Sequence, residues 1–348
     1  MPTSPGFAFS VIGINHGHIY GQVQVMLDAG CRLKSFLAPE DDLAAAFMKA
    51  FPTARRVADE RAILDDGETR LVVGAGILAD RAPMAVKAMR AGKDVMLDKP
   101  GATSLDQLAE LRRAQAGTGR ILSILYSEHY TQPATVAAGD LVKAGAIGRV
   151  ISTVGLGPHR IGNYPRPEWF YRRERTGGIL CDIGSHQVEQ FLFFTDSAEA
   201  EVISSQIANF DHPGTPEFED FGQMVIASDR ATGFIRVDWF TPDSLPAWGD
   251  GRLFLVGTEG TIELRKYVDV AGRAGGDHLL IVNRDGVRHV DCASTRITYG
   301  ERLRDDVGNR TESAMPQAHC FLAMELALVA QARATRIGGG RPTPGARR

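Results

Sequence analysis

A rhythm in the first 125 residues restricts the fold more than any other feature: short apolar runs alternate with segments whose apolar residues recur at helical spacing. Phe7 to Ile14 is an apolar run broken at Gly13, and Ile19, Val23, Met26 and Leu27 then repeat as on a helix. Cys31 to Leu37 is a second run, with Leu43, Phe47, Ala50 and Phe51 on the face of the next helix. Arg70 to Ala75 is a third, ahead of a helix expected to open at Pro83 and run through Ala91 to Gly92. Lys93 to Asp98 is a fourth. Ser104 and Gln107 then form a capping box for a helix carrying Leu105, Leu108 and Leu111, and Ile121 to Leu125 closes the series. This alternation predicts an α/β fold, a doubly wound parallel sheet over residues 1–126.

Pro100 forbids helix at Lys99 and has no ladder donor, so Lys99 is expected at a strand's C-terminal tip. In open parallel sheets that edge binds ligands. The first turn, Gly13-Ile14-Asn15-His16-Gly17-His18, departs from the dinucleotide fingerprint G-x-G-x-x-G. Asn15 and His18 stand where glycines let the backbone approach a pyrophosphate and let the helix pack closely. Ala38 occupies the place of the ribose-binding acid, with Pro39-Glu40-Asp41-Asp42 just beyond and no Arg or Lys among them. That acidic stretch predicts NAD over NADP, by repelling a 2′-phosphate as much as by offering a hydrogen bond.

Past Leu141 the pattern changes to alternating strands such as Gly233 to Phe240. Hairpin turns are expected at Gly257-Thr258-Glu259-Gly260 and Asn283-Arg284-Asp285-Gly286. Residues 127–337 therefore read as an α+β domain with an open, mostly antiparallel sheet. A closing helix through Phe321, Met324 and Leu328, with Leu322, Leu326 and Val329 on a neighbouring stripe, should be buried. Residues 338–348, rich in Gly, Pro and Arg, are expected to be disordered. Asp182 and His186, four apart ahead of Val188, Phe191 and Leu192, are expected on one helix face. A carboxylate beside an imidazole is a general-base arrangement. A zinc site of Asp182, His186 and His159 would lack a second close-spaced ligand pair, so no metal is expected.

A length of 348 residues favours two domains, and 44% apolar with 23% charged residues is ordinary globular composition. A net charge of −3 gives no electrostatic reason to bind nucleic acid or an anionic membrane. Cys31, Cys181, Cys292 and Cys320 are scattered, which argues for reduced thiols and against a disulfide framework. Without a signal-like N-terminus or a run of roughly 18 apolar residues, a cytoplasmic protein is expected.

The Gly13 turn, Asp98-Lys99-Pro100 and Asp182-x-Gly184-x-His186 together resemble the glucose-fructose oxidoreductase / inositol dehydrogenase / MocA-like family, which usually has Glu-Lys-Pro at the second motif. The resemblance implies an NAD(P)-dependent oxidoreductase exchanging a hydride with a secondary alcohol of a sugar, glycoside or cyclitol. His186 would take the hydroxyl proton, Lys99 would hydrogen-bond the same oxygen and Asp182 would orient the pair. Gly13, Ile14, Asn15, His16, His18, Ala38, Glu40, Asp98 and Lys99 would hold NAD, with NADP the alternative. The second sheet's face would make a homodimer or homotetramer. His159, Arg160, Trp169 and Tyr171 are the candidates to line a polyhydroxylated substrate, although Arg160 and Arg166 would also suit a carboxylate or phosphate. Where many members have Asn-Arg-Arg after the fifth strand, this chain has Ser127-Glu128-His129. An NAD-dependent glycosidase of the same fold, or a non-catalytic sugar or dinucleotide sensor, remain alternatives.

Overall fold

The computed structural model describes residues 4–162 and 166–338. The alternation folds as β1 (Ala8–Ile12), α1 (His18–Asp28), β2 (Arg32–Leu37), α2 (Asp41–Ala50), β3 (Arg55–Arg56), α3 (Arg61–Leu64), β4 (Thr69–Gly74), α4 (Leu78–Arg90), β5 (Asp94–Asp98), α5 (Leu105–Thr118) and β6 (Leu122–Leu125). These six strands form one parallel sheet in the order β3-β2-β1-β4-β5-β6. Every residue of β1, β5 and β6 is buried, as expected of a sheet covered on both faces. The order reverses between β1 and β4, which opens a crevice at the C-terminal ends of those strands.

Two local expectations shift. Helix α4 starts at Leu78, five residues ahead of Pro83. Pro83 has no N–H to give the Ala79 carbonyl, and Gln107 Nε2 donates to that carbonyl instead at 2.8 Å. At α5 the Ser104 hydroxyl accepts the Gln107 N–H as expected, but Gln107 Oε1 reaches back to the N–H of Thr103, one residue earlier than a capping box requires.

The second half contains α6 (Ser127–Tyr130), α7 (Pro133–Lys143), β7 (Val150–Pro158), a 3₁₀ turn (Glu168–Tyr171), α8 (Arg173–Thr176), α9 (Ile179–Asp182), α10 (Gly184–Thr195), β8 (Glu201–Ala208), β9 (Phe221–Ala227) and β10 (Thr232–Asp238). It continues with β11 (Arg252–Gly257), β12 (Gly260–Arg265), β13 (His278–Asn283), β14 (Gly286–Asp291), α11 (Tyr299–Asn309), α12 (Gln317–Arg333) and β15 (Thr335–Arg336). Strands β7 to β15 form one sheet, β14-β13-β12-β11-β7-β10-β9-β8-β15. Its neighbours are antiparallel except for the pairs β7–β10 and β8–β15. Both expected hairpins close at their glycines.

One face of this sheet, with Met224, Ile226, Ile235, Val237, Leu253 and Leu255, is buried. The other leaves Phe234, Val256 and Val282 partly exposed. Helices α9, α10 and α12 join the buried face to the parallel sheet in a single core that runs from Val95 and Leu97 through Met324 to Ile226 and Ile235. Helix α12 is buried around most of its circumference, as its sequence predicts. Its two ends are tied by glutamines: Gln317 pairs with both backbone groups of Leu122, covering the β6 edge, and Gln331 Oε1 accepts the Leu180 N–H of α9. A Cβ on Gly178 would lie 2.4 Å from the Gln331 side chain, and its φ of +94° also requires glycine. Apart from Gly338, the C-terminal tail lies outside the described residues. Among the described residues no helix is long and apolar enough to cross a membrane.

Candidate active site

Strand β5 delivers Asp98 and Lys99 to the crevice, and a buried arginine fixes both. Arg81, from α4, sits 3.1 Å from Asp98 Oδ2 and donates to the Gly76 and Lys99 carbonyls. On the other side of the carboxylate, His18 Nδ1 lies 2.9 Å from Asp98 Oδ1 and His16 Nδ1 lies 3.4 Å from Oδ2. Burial alone would raise the Asp98 carboxyl, but His18 and Arg81 outweigh it and hold the group well below the carboxylate range. His18, unexpected at the third glycine place, is thus a partner of the acid in the Lys-Pro motif. His16, His18 and Asp98 bring their ligand atoms within 4.8 Å of one another, with the Arg81 guanidinium already against the same carboxylate.

Lys99 Nζ, almost completely buried, donates to Asp182 Oδ1 at 2.6 Å. The expected single helix carrying Asp182 and His186 is instead two: Asp182 ends α9 and His186 lies in the first turn of α10. The junction tightens because the His186 N–H goes to Ile183 O at 3.1 Å, while Ser185 Oγ takes the Asp182 carbonyl. The phase change turns Asp182 to Lys99, and among the described residues no hydrogen bond joins Asp182 to His186. His186 is 1% exposed, packs edge-on to Tyr126 and has no partner at Nδ1. Burial pushes its pKa down to about 3 against the pull of Glu128, so the imidazole is neutral at neutral pH.

Of the substrate candidates, His159 leaves β7 with Nδ1 3.1 Å from the Gly157 carbonyl and its ring edge-on to Trp239 and Trp248. Burial lowers its pKa to about 4. Tyr171 lines a hollow with Phe170, Phe218, Trp239 and Asp182. Trp169 packs edge-on to Phe170 and is not part of that lining. Arg160 donates to the carbonyls of Pro242, Leu245 and Ala247, and Arg166 donates to Ile161 O while stacking over Phe170 and Trp239. Both arginines therefore clamp the loop.

At the far end of the crevice, Gly13 has φ +83°, and a Cβ there would lie 2.8 Å from Gly76 Cα, so the turns after β1 and β4 cross in contact. Ile14 and Ala38 are buried beside it. Asn15 Nδ2 donates to Glu40 Oε1 at 2.8 Å, and Glu40 Oε2 is buried without a partner. No Arg or Lys lies among residues 38–42, but the fold brings a base to them from further along the chain. Arg56, on β3, donates to the Ala38 and Pro39 carbonyls and pairs with Asp41 at 2.7 Å. Pairing of β3 with β2 places it there, and the short Arg55-Arg56 strand carries too few apolar residues to be read in advance. Arg81 was equally hidden, since an arginine in a helix pattern reads as solvated.

Residues 135–263 match the model of the GFO/IDH/MocA C-terminal domain. A crystal structure from Erwinia carotovora atroseptica SCRI1043, provisionally named an oxidoreductase, is 43% identical, with a TM-score of 0.93 over 95% of this chain and 99% of that one. The chain belongs to the Gfo/Idh/MocA family. A D-xylose dehydrogenase of Paenarthrobacter nicotinovorans is 29% identical over 133 residues, which is 37% of this chain and 34% of that protein. The chain thus spans about a third of the length of the first curated relatives it matches. A levoglucosan dehydrogenase in complex with NADH and levoglucosan shares the fold at TM-score 0.74 and 18% identity, over 94% of this chain and 97% of that one.

Proposed function

We propose that this member of the Gfo/Idh/MocA family is an NAD(P)-dependent oxidoreductase acting on a secondary alcohol of a neutral sugar, glycoside or cyclitol. The observation that carries the reading is the 2.6 Å contact of Lys99 with Asp182, with the buried His186 four residues beyond that acid, at the C-terminal edge of a doubly wound parallel sheet. The residues fit a dinucleotide: the glycine crossing leaves the backbone bare at the switch point, and the free Glu40 oxygen suits a ribose hydroxyl. Residues 1–126 would hold the cofactor and residues 127–337 the substrate. The sugar-directed names of the relatives support the substrate class.

When bound, the dinucleotide supplies the hydride acceptor or donor. Lys99 donates to the reacting oxygen and stabilises the charge that develops on it, while Asp182 holds the ammonium in place. His186 accepts the hydroxyl proton in oxidation and returns it in reduction. Burial of both groups excludes water and strengthens these contacts. NAD is the preferred cofactor. A cytoplasmic homodimer or homotetramer built on the outer sheet face, where Phe234, Val256 and Val282 are partly exposed, completes the reading.

The test follows NADH absorbance over a panel of cyclic polyols and simple glycosides. NADH formation with at least one cyclic polyol is expected. Turnover confined to acyclic alcohols or 2-hydroxy acids would overturn the assignment, and release of free sugar without net NADH would replace it with the glycosidase reading.

A further inference from the structure

Glu128 stands where no charge would be placed for stability alone. Its carboxylate is 1% exposed, and Oε2 accepts from Lys266 Nζ at 2.7 Å and from Gln187 Nε2 at 2.9 Å. Lys266 Nζ also donates to Gln190 Oε1 at 2.8 Å, and Gln190 Nε2 donates to the His186 carbonyl at 2.9 Å. This chain of buried contacts straps the carboxylate to the helical turn that carries His186. Burying an ion pair is often no more stabilising than apolar packing in its place, so the pair calls for another role.

The second oxygen supplies one. Glu128 Oε1 and Gln187 Oε1 are both buried and both without a hydrogen-bond partner. Burial would raise the Glu128 carboxyl, but the Lys266 ammonium at 2.7 Å outweighs it and holds the group below the carboxylate range, so it is charged at neutral pH. Through Lys266 and Gln190 the carboxylate is tied to the His186 carbonyl, and through Gln187 to the residue next to His186, so its free oxygen lies beside the turn that carries the candidate base. Arg160 and Arg166, the cations of a type suited to an acid, donate to loop carbonyls.

We propose that Glu128 is a specificity residue that takes a hydroxyl or ammonium donor of the substrate on its free Oε1 and turns away substrates bearing a carboxylate or phosphate. Both free atoms are acceptors. A hydroxyl or ammonium brings the missing hydrogen, whereas an acid brings only further lone pairs and like charge. The proposal rests on the sugar-oxidoreductase reading for its substrate class.

The test titrates the NADH-saturated full chain by calorimetry with D-glucose, D-glucosamine and D-glucuronate. Glucose and glucosamine should bind at least about tenfold more tightly than glucuronate. Glu128→Gln should weaken the first two by about ten- to a hundredfold and close the gap to glucuronate, with the loss appearing in KM and not in kcat. Because that variant leaves Lys266 buried without its acid, Glu128→Met combined with Lys266→Met removes the pair as a unit, and the same loss of preference is expected. Glucuronate binding as tightly as glucose, a gap unchanged in both variants, or binding by none of the three overturns the proposal. Charge-ordered binding without any NADH-linked turnover would remove the oxidoreductase reading and leave Glu128 in place. Turnover with the order unchanged by Glu128→Gln would do the reverse.

Discussion

Acidification should destabilise this protein well before its carboxylates protonate, because His186 and His159 are held in the neutral form by burial. His186 has a folded pKa of about 3, against an ordinary value of 6.5. The unfolded chain takes up a proton below about pH 6.5 that the folded chain refuses, so stability is full above that pH and is lost as pH falls. Between about pH 6.5 and about pH 5 the loss is about 1.5 units at 1.36 kcal/mol each, or about 2 kcal/mol. His159, depressed to about 4 but only partly shielded from solvent, adds about 1 kcal/mol after discounting for screening. Glu128, Glu189 and Asp98 are shifted downward, so they withdraw stability only below their unfolded values near 4 and play no part in this window. About 3 kcal/mol is a large share of a typical 5–15 kcal/mol. Urea unfolding read by tryptophan emission measures it, since Trp239 and Trp248 pack on His159. His186→Gln should flatten the pH dependence by about 2 kcal/mol. A wild-type loss under about 1 kcal/mol, or an unchanged slope in the variant, refutes the reasoning.

Lys99→Met should cost about a hundred- to a thousandfold in turnover while NAD binding is kept, since in the proposed mechanism the lysine meets the reacting oxygen; unchanged turnover removes it from the site. Arg81→Met should cost about 3 kcal/mol in urea unfolding by leaving the buried Asp98 without its guanidinium, and a loss under about 1 kcal/mol would show that His16 and His18 suffice. In calorimetric titrations the wild type should prefer NAD, Arg56→Ala should weaken NADP more than NAD, and Glu40→Ala should do the opposite. Equal effects of both variants on the two cofactors would mean that neither side chain reads the ribose.

Much of this protein was legible in its sequence because the information is periodic or local. Burial of both faces of β1, β5 and β6 leaves continuous apolar runs, and Pro100 fixes where Lys99 must stop, so the parallel sheet and the edge that carries the candidate site follow from residue order. The hairpins at Gly257–Gly260 and Asn283–Gly286 and the all-round apolar α12 are of the same kind. The tertiary structure alone decided the partners of charged groups. Asp182 belongs to Lys99 because a tightened turn rotates it out of phase with His186, a change of one hydrogen bond that side-chain spacing does not record. Arg56, Arg81 and Lys266 reach Asp41, Asp98 and Glu128 from 15, 17 and 138 residues away. A charge in a sequence is free to be solvated anywhere; only the packing that removes its water determines which opposite charge it must find.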